Sequence, residues 1–440
     1  MLRSVMFKAG FKAGLFALVL ALAVASVAMG QVTGLYYQEI EKDGRIYVFN
    51  TPEKFQSWQQ TGDMGTAVTL IGRGPNDETI VAENDTAMDL YLFKHNLPAY
   101  ERPTPKPAKP ADFPANKFGI RVFADASVKE NKDEATGVKS NDSGVGVDVK
   151  RTYFTFTHQF DPTWSAVFQS DIGDQGARRY DVFVKKAYVE AKLNPMGIFR
   201  LGSADTPWIP YVEGIYGMRY LEQTITDHLS FGSSAEWGLH VTGTNPVWGY
   251  AFTAGNGRGF SNPTRSKSVD YEGRLSFTPL KGLNLAVGGY SGKRGQDTDQ
   301  APARHTAQRG DALVAFNTDR FRIGGEYFQA KNWNSVTTVA TDKSDGVSGW
   351  AQLILNPKYT LFGRYDQANP SKDLKPNLEF TYYNAGLQWT FNKAFAASLA
   401  YKYADVTGGT VGTGNGTIGS VNAREKGKYS EIGVFTVYNF

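Results

Sequence analysis

A segment rich in both aromatic and charged residues lies between Asp205 and Ser234. Its side chains combine both signs of charge with indole and phenol rings: Trp208, Tyr211, Glu213, Tyr216, Arg219, Tyr220, Glu222 and Asp227. Carboxylates and cations arranged in this way steer ionic solutes, and aromatic faces offer stacking surfaces for sugars. Long connections with packing residues of their own are often functional. We predict that this segment contacts a dissolved solute.

Signatures of bond-making chemistry are absent from the sequence. The histidines are scattered, with no HExxH pattern and no zinc-ligand spacing: His95, His158, His228, His240 and His305. The glycines at 255, 257 and 259 precede no predicted helix, so they form no phosphate-binding loop. We predict no catalytic residue, no cofactor and no metal site. A hydrolase with a Ser/His pair on its outer loops is an alternative, although nothing in the sequence selects such a pair.

The segments that position these residues show a period of two. In residues 117–128, Phe118, Ile120 and Val122 alternate with Arg121 and other polar side chains. The alternation returns at 235–242, 271–278, 321–328 and 359–366. One face is apolar and the other carries charge, which is typical of a strand with lipid outside and water inside.

This alternation predicts which charges line the wet face. The predicted pore wall contains Arg121, Arg151, Lys186, Arg200, Glu236, Arg274, Arg322, Glu326, Arg364 and Asp366. A basic wall opposite an acidic loop would create a transverse field that orients dipolar solutes. The alternative is that many of these charges form structural salt bridges. Lys185 falls on the apolar face, where a cation at mid-depth costs about 2 to 4 kcal/mol, so we expect it near a rim or at a subunit contact.

Connections between the predicted strands alternate in length. Short turns lie at 161–163, 194–197, 245–246, 279–282, 317–319, 356–357 and 392–393, and long polar connections separate them. Bacterial barrels show this asymmetry, with the short turns in the periplasm. The hairpins predict an all-β membrane protein, an antiparallel transmembrane barrel of about sixteen strands. A soluble sandwich or propeller also alternates, but no disulfide or repeat marks the second sheet that it would need.

Two regions precede the predicted barrel at 116–440. Residues 1–30 carry spaced cations, an apolar run and small residues, and they predict a secretory signal peptide. A membrane anchor is the alternative, although the apolar run is short for one. Residues 31–99 contain an Asp43-Gly44 hairpin signal and two helix patterns, so we expect a small α+β domain in the periplasm. Five prolines make residues 100–115 a semi-rigid linker.

Composition restricts the class of partner. The 440 residues include 47 glycines, 23 tyrosines and 28 phenylalanines but no cysteine, so stability must come from hydrogen bonding and packing. The formal net charge of +4 comes without a basic block, so we expect no nucleic acid partner. The chain stops on Phe440, which resembles the terminal aromatic that outer-membrane barrels present to their assembly machinery.

Leu201 to Tyr220, with the step Thr206-Pro207-Trp208, resembles bacterial porins, in particular the family of phosphate-selective porins and the general diffusion porins. The resemblance extends more loosely over residues 116–440. It implies a homotrimer of sixteen-stranded pores in which residues 205–234 fold inward as a constriction. The alternative is a loop that packs over the rim or against a neighbouring subunit. Phosphate specificity would need a dense ladder of cations, which this sequence lacks.

Residues 44–49 and 52–55 resemble small metal-associated YHS domains, but without the cysteine we expect no metal there. Together the patterns predict a porin of the Gram-negative outer membrane, in contact with lipid and lipopolysaccharide, for passive diffusion of small polar or ionic solutes. A solute-specific porin for phosphate, other anions or sugars is the nearest alternative. A barrel enzyme, or a periplasmic binding module carried on a barrel, is a further one.

Overall fold

The computed structural model describes residues 36–102, 112–141, 143–174, 180–420 and 426–440. The chain divides into two compact units, with the boundary between Pro110 and Ala111. The predicted signal peptide and most of the predicted linker lie outside the described residues.

The first unit is a four-stranded sheet with two helices. Its elements are β1 (Gln38–Lys42), β2 (Arg45–Phe49), α1 (Pro52–Thr61), β3 (Val68–Leu70), β4 (Thr79–Ala82) and α2 (Asp85–Lys94). The sheet order is β1-β2-β4-β3, with β2 and β4 parallel. Asp43 and Gly44 both have positive φ, as a tight turn between β1 and β2 requires. The predicted α+β part is confirmed.

The second unit is a closed antiparallel barrel. Its sixteen strands are β5 (Ala115–Asp133), β6 (Gly144–Gln159), β7 (Trp164–Asp174), β8 (Tyr180–Asn194), β9 (Gly197–Asp205), β10 (Ala235–Thr244), β11 (Trp248–Gly255), β12 (Asp270–Phe277), β13 (Leu283–Gly292), β14 (Ala307–Asn317), β15 (Phe321–Lys331), β16 (Lys343–Asn356), β17 (Tyr359–Ser371), β18 (Leu378–Thr390), β19 (Phe395–Thr407) and β22 (Lys426–Asn439). Each strand pairs with its neighbours in sequence, and β22 pairs with β5 to close the sheet. A closed sheet satisfies the backbone of every strand on both edges.

The two rims of the barrel differ as the turn pattern predicted. One rim carries the short connections, such as residues 195–196 and 357–358, and the chain enters β5 and leaves β22 on that side. The other rim carries the long connections, and one of these holds a small hairpin of β20 (Thr410–Thr413) and β21 (Gly416–Gly419).

The outer surface of the barrel is apolar. Exposed side chains include Phe118 at 75%, Leu201 at 68% and Val287 at 58% of their full accessible surface. Large apolar side chains exposed on strand after strand require lipid or detergent to cover them. None of the helices among the described residues is long and apolar enough to cross a bilayer.

Two of the β-bulges change which side chains face the interior. The register of β6 against β5 shifts at Lys150, and that of β8 against β7 shifts at Lys185. An extra residue in one strand breaks the strict alternation of faces. Lys185 is therefore only 8% exposed, and its ammonium lies over the Tyr153 ring inside the barrel. The prediction that Lys185 lies near a rim or at a subunit contact was wrong.

Candidate channel and its constriction

Residues 206–234, here called the inward loop, connect β9 to β10 and fold into the barrel. They contain α3 (Ile209–Tyr216) and α4 (Ile225–His228). Pro210 stands in the first turn of α3, and Gly217 ends it in the left-handed conformation with φ of 75°. Trp208, Val212 and Thr226 have no exposed surface. The loop therefore fills part of the lumen instead of standing free above the rim.

Glu326 on β15 anchors the inward loop at two places, near its start and in α4. Its carboxylate accepts hydrogen bonds from the Trp208 indole Nε1 at 2.7 Å and from the Thr226 hydroxyl at 2.5 Å. All three side chains are buried. A buried carboxylate needs donors of this kind, so the contact fixes the loop to the β15 side of the wall.

Further contacts hold the loop against β12, β16 and β19. The Arg274 Nε donates to the Pro207 carbonyl at 2.8 Å, and its guanidinium stacks 3.7 Å from the centre of the Tyr211 ring. Gln352 donates to the Tyr216 carbonyl at 2.6 Å. The hydroxyls of Tyr220 and Ser398 are 2.5 Å apart. The partners come from strands far apart in sequence.

Glu222, a residue of the inward loop, contacts a second part of the barrel wall. Its carboxylate accepts hydrogen bonds from Tyr382 at 3.1 Å and Asn415 at 2.8 Å, and the Lys402 ammonium lies 3.6 Å away. The Nδ1 of His228 lies 3.2 Å from the same carboxylate. This buried cluster joins the inward loop to β18, β19 and the β20–β21 hairpin.

A cavity of about 710 Å³ remains between the inward loop and the wall formed mainly by β5 to β9, with further lining residues from β18, β19 and β22. Its charged lining comprises Arg121, Lys185, Lys186, Asp205, Glu213 and Arg219, beside the rings of Phe123, Tyr153 and Tyr220. It also includes Asn439 and Phe440 at the rim of short turns.

Most charges of this cavity are paired. Arg219 lies 2.5 Å from Glu213 within the loop, and Lys186 lies 2.7 Å from Asp205. Asp227 accepts a hydrogen bond from Gln223 at 2.7 Å and lies 3.6 Å from Arg219. Glu213 and Asp227 therefore both lie within ion-pair distance of Arg219, a cation of their own loop.

The remaining wall residues that the sequence singled out divide into two groups. Arg322 lies against the loop, because a Cβ added to Gly217 would come within 2.9 Å of its Nη1. The Arg364 guanidinium binds Asp366 at 2.6 Å and lies 5.2 Å from the Tyr216 ring centre. Three others have partners outside the loop: Arg151 pairs with Asp171 at 2.8 Å, Arg200 pairs with Glu190 at 2.7 Å, and Glu236 accepts backbone N–H bonds from Trp237 and Gly259.

A second cavity of about 400 Å³ lies toward the long connections. Glu236, Asp270, Arg294, Arg309 and Trp333 are among its lining residues. Among the described residues, no cluster of three or more His, Asp or Glu side chains is arranged to hold a metal ion.

Sequence reasoning missed the uncharged partners of the loop and the bulged lysines. Gln352 and Ser398 show no signal in the sequence, because their role depends on which strands face the loop. Lys150 and Lys185 violate strict alternation, and that misfit was the one available signal for a bulge.

No protein-family model matches the sequence, and no curated protein matches it. Solved structures match with 10 to 14% identity, which shows the fold alone. An anion-selective porin from Comamonas acidovorans aligns over 74% of this chain and 100% of its own, with 13% identity and a TM-score of 0.54. The chain has the fold of the outer-membrane porins.

Two further structures share this porin fold. A loop L8 deletion mutant of OmpT, an outer membrane protein of Vibrio cholerae, aligns over 75% of this chain and 100% of its own, with 14% identity and a TM-score of 0.52. The outer membrane channel DcaP of Acinetobacter baumannii aligns over 74% of this chain and 97% of its own, with 10% identity and a TM-score of 0.50.

Proposed function

We propose that this chain is an outer-membrane porin through which small polar or ionic solutes diffuse passively. The observation that carries this proposal is the inward loop, which is fixed to one wall and leaves a charged cavity of about 710 Å³ beside the other. A barrel of sixteen strands encloses an aqueous lumen unless something fills it. The loop narrows this lumen without filling it.

The constriction is a fixed structure. The carboxylate of Glu326 on β15 binds the loop at Trp208 and Thr226, and the loop's own Glu222 binds Tyr382 of β18 and Asn415. Such buried, multiply bonded carboxylates are costly to pull apart. Solutes therefore pass between the loop and the wall of β5 to β9 down their concentration gradients, with no catalytic step and no cofactor.

The proposed location is the outer membrane of a Gram-negative type of bacterium. The apolar outer surface contacts lipid and lipopolysaccharide, and Phe440 serves recognition by the barrel-assembly machinery. The short turns face the periplasm. Because β5 begins on that rim, residues 31–99 form a periplasmic domain that follows a cleaved signal peptide at 1–30 and precedes the linker at 100–115.

The proposed assembly is a homotrimer. One of the solved OmpT structures is described as a trimer form, with 14% identity to this chain and a TM-score of 0.50. Light scattering of the purified protein in detergent, corrected for bound detergent, tests this directly. A mass of one chain would contradict it.

Planar-bilayer recording tests the channel function. Purified protein added to a lipid bilayer should give stable current steps that rise in proportion to the applied voltage. Detergent buffer alone and heat-denatured protein serve as controls, because neither holds a folded barrel. A folded protein that inserts into the bilayer and yields no current steps would refute the proposal.

A further inference from the structure

We propose that the β-bulge of β8 turns Lys185 into the constriction and thereby makes the channel prefer small anions, organic carboxylates and phosphates included. The proposal rests on the porin function above and names the class of solute that the same site favours. Lys185 is then a residue that determines specificity, and it lies where strict alternation would have placed it against lipid.

The bulge is built into the fold by its neighbours. The Ser203 hydroxyl donates a hydrogen bond of 2.7 Å to the carbonyl of Lys185, and Ser203 has no exposed surface. The residue before Ser203 on β9 is Gly202. It has a φ of 129°, and a Cβ there would lie 2.1 Å from the Ala187 carbonyl oxygen. Glycine thus permits the close approach of β9 beside the bulge, and Ser203 satisfies the extra carbonyl.

The Lys185 ammonium lies against aromatic rings, and the carboxylates of Asp171 and Glu213 act on it from beyond ion-pair distance. Its Nζ lies 4.8 Å from the centre of the Tyr153 ring and 5.3 Å from that of Phe260. Within the described residues, no carboxylate oxygen lies within 4.0 Å of this nitrogen. Aromatic faces stabilise a cation without cancelling its charge.

The other bulged lysine provides an internal comparison. Lys150 also turns inward at a bulge, but its ammonium forms an ion pair of 2.8 Å with Asp125 and lies 3.6 Å from Glu431. A bulge therefore does not by itself leave a lysine unneutralised. The charge of Lys185 stays available to a solute.

The balance of charge in the cavity beside the inward loop is positive. Its lining holds four cations, Arg121, Lys185, Lys186 and Arg219, against the side-chain carboxylates of Asp205 and Glu213 and the terminal carboxylate of Phe440 at the rim. Asp205 pairs with Lys186 and Glu213 with Arg219. The two cations left over are Lys185 and Arg121, and the Arg121 Nε donates to the Asn439 side chain at the rim.

Because Lys185 is more buried than Arg121, its charge attracts an anion in the cavity more strongly. Lys185 is 8% exposed and lines the cavity beside the inward loop, whereas Arg121 is exposed to solvent. Water and salt screen an exposed charge more than a buried one. An anion that passes the constriction is therefore attracted most strongly at Lys185.

The test is the ratio of chloride to potassium permeability, measured from the reversal potential in a potassium chloride gradient. The wild-type channel should prefer chloride. K185Q and K185M should each lower the ratio by about fivefold, the factor that one unit charge about 4 Å away supplies in water. K185R keeps the charge and should keep the ratio. K331Q removes an exposed lysine at the end of β15 and should leave the ratio unchanged.

The outcomes separate the two proposals. A wild-type protein that forms no channel would refute the porin function itself. A wild-type channel that prefers potassium, or neutral variants that conduct with the wild-type ratio, would overturn the role of Lys185 and leave the porin function standing. If K185Q does not fold, K185M keeps an unbranched apolar side chain at this position and carries the same test.

Discussion

At the scale of single residues, Glu326 fixes the geometry of the constriction. Its carboxylate accepts hydrogen bonds from Trp208 near the start of the inward loop and from Thr226 in α4. Each donor lost from a buried acceptor costs about 1 to 3 kcal/mol, because the desolvated oxygen finds no replacement. The position of the loop thus depends on a few polar contacts.

Thr226→Val tests this dependence, because it keeps the shape of the side chain and removes the donor. We expect the free energy of unfolding of the barrel to fall by about 1 to 3 kcal/mol. The measurement is urea unfolding in detergent, followed by tryptophan fluorescence. Thr417→Val changes an exposed threonine and serves as the control. Equal stability of the two variants would contradict the anchoring role of Thr226.

Glu39 makes the first unit sensitive to acid. Burial would raise the pKa of its carboxyl group, but hydrogen bonds with Tyr37, His95 and Lys94 lower that pKa from 4.5 to about 2. A carboxyl group whose pKa is lower in the folded state than in the unfolded state stabilises the fold when the pH is above its ordinary pKa. This stabilisation is lost as the pH falls from 4.5 toward 2.

Pepsin digestion of residues 36–102 in the full chain, from pH 4.5 down to 2, measures this loss. We expect the wild-type unit to become more susceptible to cleavage as the pH falls. Glu39→Gln should be more susceptible than wild type at the upper end of this range and should change less across it. Glu41→Gln alters an exposed neighbour on β1 and should follow the wild type. Coincident curves for wild type and Glu39→Gln would contradict the role of Glu39.

At the scale of elements, the inward loop sets the width of the lumen. It carries two helices. Its buried side chains pack on β12 to β19 and, through Tyr220, on Phe123 of β5, while Glu213 and Arg219 border the cavity. Both helices need tertiary contacts, because helices this short are not stable in isolation. The loop narrows the channel only while the wall holds it.

Deletion of residues 214–226 tests whether the loop is the constriction. We expect a higher single-channel conductance, because the cavity beside β5 to β9 would then open to the full lumen. Deletion of residues 299–302, an exposed part of the connection between β13 and β14, is the control and should leave conductance unchanged. An unchanged conductance in the first variant would remove the loop from the constriction.

At the scale of the whole molecule, stability depends on the medium around the barrel. Closure of β22 on β5 satisfies the backbone, but the exposed apolar side chains remain without partners in water. Lipid or detergent must cover this surface for the folded state to persist.

Refolding from urea tests this dependence. We expect β-sheet circular dichroism and resistance of the barrel to protease only when micelles or lipid vesicles are present. The same dilution without detergent is the control and should give aggregate. Recovery of a folded, soluble chain from the detergent-free sample would contradict the assignment of the outer surface to lipid.

The sequence by itself determined the architecture of the barrel. Alternation of apolar and polar residues is a local property of a strand, and short turns at 194–197 and 356–357 mark where strands reverse. Sixteen strands and two unlike rims follow from these local signals, because the number of hairpins is countable along the chain. The aromatic and charged character of residues 205–234 also singled out the inward loop.

Only the tertiary structure decided which side chains contact one another inside the barrel. The hydrogen bonds of Trp208 and Thr226 to Glu326 join residues about a hundred positions apart in the sequence, and no local pattern predicts which distant residues pair. The inward turn of Lys185 depends on the register between β7 and β8, which a one-residue bulge shifts. Local periodicity predicts which segments form strands, whereas the pairing of strands distant in sequence determines which side chains come into contact.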